Sequence, residues 1–258
     1  MQAKLKKAAI SFASAVFWLL VWYIAALIVN KEVLLPSPVA VISRLMSLMR
    51  EPSFYLTCLS SSVHILFGFI AGLIFGVILG SAMSFSSVVR ALFSPLLKVV
   101  RSTPVASFII LALVWLNSSH IPSFIAFLMV LPIFCSNVTQ GLSSVDGKLK
   151  EVTDVFELSR STKLKILYVP TLIPFVASAA KTGIGLAWKA GVAAEVIAVT
   201  ANSIGAMLRD SKTYLETADL FAWTAALILI SALMELIIGA ASDALSKRFA
   251  HSEGGEKA

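Results

Sequence analysis

Lys181, Lys189 and Glu195 interrupt a stretch, 166–201, that is otherwise apolar. An ionised side chain facing hydrocarbon is costly, so these residues must face the interior of a helix bundle, water or one another. On a helix Lys189 and Glu195 point to different sides, so they form no simple intrahelical ion pair. The chemistry open to them is a polar lining for an anionic solute, or a proton or ion relay; pairing across helices is the structural reading. His64 and Glu235 read as polar residues at the ends of apolar runs. Bond-making chemistry is not expected. The phosphate-cradling pattern GxxxxGK[ST] does not occur, and Cys58 and Cys135 have no His or Cys partner at metal-ligand spacing. No catalytic residue, cofactor or metal is therefore expected.

The elements that must position these residues are membrane spans. Of 258 residues, 58% are hydrophobic and 14% charged, and the mean hydropathy is +0.90. That leaves too little polar surface for a soluble domain. Lys and Arg number 21 against 14 Asp and Glu, a net charge of +7. The cations lie between apolar runs rather than on one soluble face, so no nucleic-acid partner is expected. A bilayer core of about 30 Å needs roughly 20 apolar residues per helix, and the uncharged gaps supply six spans: 8–30, 60–84, 98–116, 121–141, 166–201 and 220–245. Lys4, Lys6 and Lys7 imitate the start of a signal peptide, but the apolar run after them is too long for one. Asn117 to Pro122 carries turn-forming residues that separate spans three and four as a hairpin.

An even number of spans puts both termini on one side. With the N-terminus inside, fourteen Lys and Arg fall in inside segments and five in outside ones, which places both termini in the cytoplasm. The chain reads as one transmembrane domain over 1–258, with no room for a separate soluble domain. Energy for uphill transport must then come from an ion or from another polypeptide.

Three further patterns carry information. Gly68, Gly72, Gly76 and Gly80 recur along one side of the second span and lay a groove for close helix packing. Ser37 and Pro38 can cap and open a short amphipathic helix along the outer interface, with Val39, Ile42, Leu45, Met46 and Met49 opposite Arg44, Ser47 and Arg50. In the loop 142–165, Leu149, Val152 and Phe156 share a helical face, while Lys150, Asp154 and Glu157 lie elsewhere. That helix is too short and too charged to cross the membrane. Its carboxylates Glu151, Asp154 and Glu157 sit badly beside anionic lipid, so it calls for a protein partner.

At this loop the chain resembles the permease subunits of bacterial ABC importers, whose signature runs Glu-Ala-Ala, then a glycine, then Ile-x-Leu-Pro. Glu151-Val152-Thr153 stands in the first place, Glu157 in the glycine place, and Ile166-Leu167-Tyr168-Val169-Pro170 in the last. Leu35-Pro36-Ser37-Pro38, Arg101-Ser102-Thr103-Pro104-Val105-Ala106, the run from Ala187 to Glu195, and the run from Leu215 to Trp223 are similar to the nitrate/sulfonate/taurine branch.

The resemblance implies an all-α integral membrane fold of the type I importer permease kind: six transmembrane helices, an amphipathic outer helix and a cytoplasmic coupling helix. It implies a bacterial inner-membrane location and a permease dimer, plausibly of identical chains. Two ABC ATPase subunits on the cytoplasmic side and an extracytoplasmic solute-binding protein complete the assembly. It assigns ATPase coupling to Glu151, Val152, Thr153, Asp154, Phe156, Glu157, Leu158 and Pro170. The translocation path is expected to include Arg101, Pro104, Lys181, Trp188, Lys189 and Glu195. A small anion such as a sulfonate, taurine or nitrate is the expected solute. A neutral heterocycle such as a pyrimidine vitamin precursor is the alternative within the family, and an ion-coupled secondary transporter the alternative outside it.

Overall fold

The computed structural model describes residues 2–254, with helices and no strand among the described residues. In chain order the helices are α1 (Gln2–Val29), α2 (Pro38–Leu48), α3 (Pro52–Phe85), α4 (Ser87–Ser102), α5 (Val105–Ala112) and α6 (Ile121–Ser143), followed by α7 (Gly147–Val155), α8 (Arg160–Lys163), α9 (Val169–Ala198), α10 (Ile204–Thr213) and α11 (Thr217–Gly254). A π-helical turn, Leu164–Tyr168, joins α8 to α9.

Side chains set several of the helix starts. Ser37, Ser86, Asp146 and Ser203 each accept a hydrogen bond from an amide in the first turn of α2, α4, α7 and α10. Each cap satisfies a donor that has no partner within the helix. Pro170 stands in the first turn of α9. Ahead of it the turn widens, the Val169 amide reaching back to the Leu164 carbonyl, which relieves the pressure of the proline ring on the preceding turn.

Five segments are long and apolar enough to cross a bilayer: α1, α3, α6, α9 with the turns before it, and α11. The sixth crossing differs from the straight helix expected over 98–116. The chain ends α4 at Ser102 and begins α5 at Val105, the two meeting at 105°. The cause is Pro104, which removes an amide donor and holds Thr103 extended, at φ −85° and ψ 134°.

Helix packing decides how that bent pair is used. Ser123 Oγ donates to the His64 carbonyl at 2.8 Å, and Thr139 Oγ1 lies 3.4 Å from the Gly80 carbonyl, so α3 and α6 run parallel. A chain leaving one membrane face at the end of α3 and entering α6 from the other must cross between them, and α4 with α5 makes that crossing. With this bent pair counted as one span there are six crossings, and the start of α1, the end of α11 and α7 lie at one end of the bundle. Helices α2 and α10 lie on the other face, where Trp22 Nε1 donates to the Pro36 carbonyl at 3.1 Å and the Trp22 ring stacks on Phe221.

The α3–α6 pair is the most extensive helix contact. Gly68, Gly72, Gly76 and Gly80 all face α6: a Cβ on Gly76 would lie 2.5 Å from the Phe134 Cβ, and one on Gly80 2.9 Å from the Cys135 carbonyl oxygen. α9 closes the core against this pair, bringing Ile184 and Trp188 to Phe69, Val130 and Phe134. α2 buries Val41 and Leu48 against the bundle and carries further apolar side chains on its outer side. Val39, Ile42, Met46 and Met49 are exposed, while Arg44 turns inward and grips Asp219 of α11 through Nε at 2.5 Å and Nη2 at 2.8 Å. That is the arrangement expected where the surroundings are apolar and the cation must find its partner inside. The side-chain hydrogen bond to Asp219 raises the Arg44 pKa above its ordinary value.

Candidate functional site

Helix α7 presents an apolar surface with nothing packed on it. Val155 and Phe156 are 80% and 73% exposed, and Leu149 and Val152 about half exposed. Thr153 is buried and its Oγ1 donates to the Lys150 carbonyl at 2.8 Å, so this side of the helix rests on the permease itself. Glu151, Asp154 and Glu157 are exposed and Leu158 is half-buried. Lys163 Nζ donates to Asp154 Oδ1, and this hydrogen bond holds the Asp154 carboxyl below its usual pKa.

The C-terminus of α7 explains the glycine of the family signature. The Leu158 amide reaches the Thr153 carbonyl at 3.1 Å and the Glu157 amide the Asp154 carbonyl at 3.0 Å. This is the Schellman arrangement, which needs a left-handed residue at its turn. Glu157 is that residue, with φ 52°. An L residue bearing a side chain is strained there by about 1 kcal/mol, and glycine is not.

The expected path residues separate into two groups. Arg101 ends α4 at the elbow and donates through Nη2 to the Pro132 carbonyl at 2.6 Å and to Ser136 Oγ at 2.7 Å. Pro132 stands halfway along α6, so the guanidinium lies near the middle of the bilayer, where broken helices commonly form solute sites. Pro104 is the exposed N-cap of α5 at the same elbow. Lys189 is exposed nearer the α10 end of α9, on the level between Gly183, which faces Val130, and Gly191, which faces Ile65.

The other three are held within the chain itself. Lys181 Nζ is paired with Asp243 of α11 at 2.5 Å. Trp188 and Glu195 have no exposed surface, so neither touches a solute in this conformation. Glu195 Oε2 accepts from Ser61 Oγ at 2.9 Å and from the Gly205 amide at 3.1 Å. Ser61 Oγ also accepts from the Ile204 amide at 2.9 Å. Glu195 Oε2 therefore clamps the start of α10 to α3 and α9, accepting from a backbone donor that has no partner within the helix.

Sequence reasoning missed five contributors. Val155 is the most exposed apolar residue of α7, and its aliphatic side chain beside Phe156 was the available signal. Ser61 and Ser203 complete the Glu195 clamp, and only the Ser-rich entrance of α3 hinted at it. Arg90 and Lys98 were counted as loop charges, although with Ser94 and Arg101 they recur at helical spacing along α4.

Residues 72–251 match the family described as "Binding-protein-dependent transport system inner membrane component". A probable ABC transporter permease protein of Brucella melitensis is 28% identical over 229 residues, covering 88% of this chain and 91% of that protein. The taurine transport system permease of Escherichia coli is 26% identical over 223 residues, 83% of this chain and 80% of its own. A nitrate import permease of Synechocystis is 28% identical over 174 residues, 63% of each chain. Among solved structures, an amino acid ABC transporter covers 79% of this chain and 97% of its own at 15% identity and TM-score 0.60. An alginate ABC transporter, crystallised with an alginate-bound periplasmic protein, covers 96% and 97% at 13% identity and TM-score 0.57. These two likenesses establish the fold alone. The family match, spanning most of the chain and all the crossings from the middle of α3 onward, makes this chain a permease subunit of the ABC transporters, one of the binding-protein-dependent inner membrane components.

Proposed function

We propose that the chain forms the translocation path of an ATP-driven importer for a small anion such as a sulfonate, taurine or nitrate. The observation that carries the coupling half is the bare apolar face of α7 on the membrane face that holds both termini. Val152, Val155 and Phe156 insert into a cleft of an ATPase subunit, with Glu151 as a charge partner at the rim. Buried apolar anchors of this kind supply most of the affinity in protein interfaces. Thr153, Leu158 and Pro170 tie the handle to the spans, so that ATP-driven closure of two ATPase subunits moves the inner ends of α6 and α9 together.

The excess of Lys and Arg on the α7 side supports a cytoplasmic position for that side and for both termini. The opposite face, with α2 and α10, receives an extracytoplasmic solute-binding protein. A second, identical copy of the chain completes the path, and Arg101, Pro104 and Lys189 face it, whereas Lys181, Trp188 and Glu195 hold the fold. Cations within the crossings that have no carboxylate partner support an anionic solute, as do relatives that transport taurine and nitrate.

Proteoliposomes holding the chain, its ATPase and its binding protein test this reading. Uptake that needs all three and ATP is expected, and Lys189→Met is expected to reduce uptake of an anion without disturbing dimer assembly. Uptake by the chain alone under an ion gradient would instead identify a secondary transporter.

A further inference from the structure

Helix α4 has two faces, of which the transport reading uses Arg101 alone. Val88, Leu92, Leu96 and Val99 form an exposed apolar stripe. Arg90, Ser94, Lys98 and Arg101 form the opposite stripe, at spacings that keep them on one side of a helix. That second stripe faces α6 across a cavity of about 380 Å³, whose far wall carries Ser136, Thr139, Gln140 and Ser143. Three cations and five hydroxyl or amide side chains thus surround one space, and no carboxylate lines it. Among the described residues none of the three cations is in an ion pair.

The two guanidinium groups are positioned by hydrogen bonds, and Lys98 is exposed between them. Arg90 Nε is held by the Met83 carbonyl at 3.0 Å, and one terminal nitrogen of Arg101 by α6, as described above. Each guanidinium keeps nitrogen donors free to turn into the cavity, and the Lys98 ammonium has all of its own. The cavity runs from the level of Arg101, near the middle of the bilayer, to Ser143 at the end of α6 on the α7 face. Fixed donors of this type suit a planar or tetrahedral oxoanion, which accepts charge-assisted bonds from guanidinium, ammonium and hydroxyl groups at once.

We infer that the α4–α6 groove is an oxoanion-binding site on the cytoplasmic half of the path, binding the sulfonate, nitrate or phosphate-like head of an anion. The side assignment rests on the orientation proposed above; the binding chemistry does not. A free solute and the phosphate of an anionic lipid present the same head, and both fit the donor set.

Ethanesulfonate titrated into the full chain in phosphatidylcholine nanodiscs, which contain no anionic lipid, tests the site directly. Saturable binding is expected, weakened roughly tenfold by Lys98→Gln and more by Arg90→Gln with Lys98→Gln. A second arm uses native mass spectrometry of the chain extracted from its membrane. Phosphatidylglycerol retained by the wild type, lost in the double variant and not displaced by ethanesulfonate, would support the site and assign it to lipid. Absence of both sulfonate binding and variant-sensitive lipid overturns the inference, while ATP-dependent uptake by the same preparation leaves the transport reading standing. Conversely, sulfonate binding without any uptake by the complete assembly upholds the groove and removes the importer. Circular dichroism and gel filtration of each variant confirm that a loss of binding is not a loss of fold.

Discussion

α7 and α10 are short helices on opposite faces of the same bundle, built alike and used differently. Each has a side-chain cap at its start, Asp146 for α7 and Ser203 for α10. Each ends with a left-handed residue that is not glycine, Glu157 and Leu215. α10 is drawn into the bundle by the Glu195 clamp, and Ile204, Gly205 and Ala206 are buried. α7 touches the bundle through Thr153 and leaves its large apolar side chains uncovered. Identical local devices therefore produce a fixed outer element and an unsatisfied inner one, and the difference lies in a single buried carboxylate and in what the apolar side chains meet.

Removing the clamp should have the largest effect. Glu195→Ala leaves the Gly205 amide and the Ser61 hydroxyl without their acceptor, and we expect a loss of about 3 kcal/mol, read as a lower melting temperature in detergent. Equal stability of Glu195→Ala and wild type would erase the contrast between the two ends. On the α7 side the order reverses. Val155→Ser with Phe156→Ala should leave stability within about 0.5 kcal/mol, since both side chains are exposed, while ATP-dependent uptake falls roughly tenfold or more.

A smaller change sharpens the comparison within α7 itself. Glu157→Gly removes left-handed strain, and amide exchange at the C-terminal turn of α7 should slow about fivefold, equivalent to about 1 kcal/mol. Unchanged exchange would show that the loop relaxes by another route. Smallest of all is the Asp154 effect. Its pKa is depressed by Lys163, so whatever the pair contributes is present above the unfolded value of about 3.9 and is lost as pH falls through the lower folded value. Asp154→Asn should therefore not alter the dependence of uptake on pH in the neutral range; a shifted profile there would mean that Asp154 titrates against a partner other than Lys163.

Much of the fold was legible from uncharged length, because apolar runs bounded by Lys and Arg are what a bilayer demands. The glycine series was legible for the same reason: small residues spaced a turn apart have little use other than close packing. The elbow at Pro104 was not, since hydropathy measures how apolar a segment is and not whether it is straight. Glu195 shows a different limit. Its charge marked it as a path residue, but its partner Ser61 lies 134 positions away, and only the fold shows that its hydrogen bonds are spent inside the chain. Glu157 went the other way: departure from the family glycine was visible in the sequence, and the backbone gave its meaning.

Thiol accessibility at Val155 tests the central claim most directly. With Cys58 and Cys135 replaced, Val155→Cys in membrane vesicles should react readily with a maleimide when the chain is expressed alone. It should become protected when the ATPase subunit is present, because the account seats this residue in the ATPase cleft. Equal labelling in both preparations, in an assembly that still transports, would contradict it.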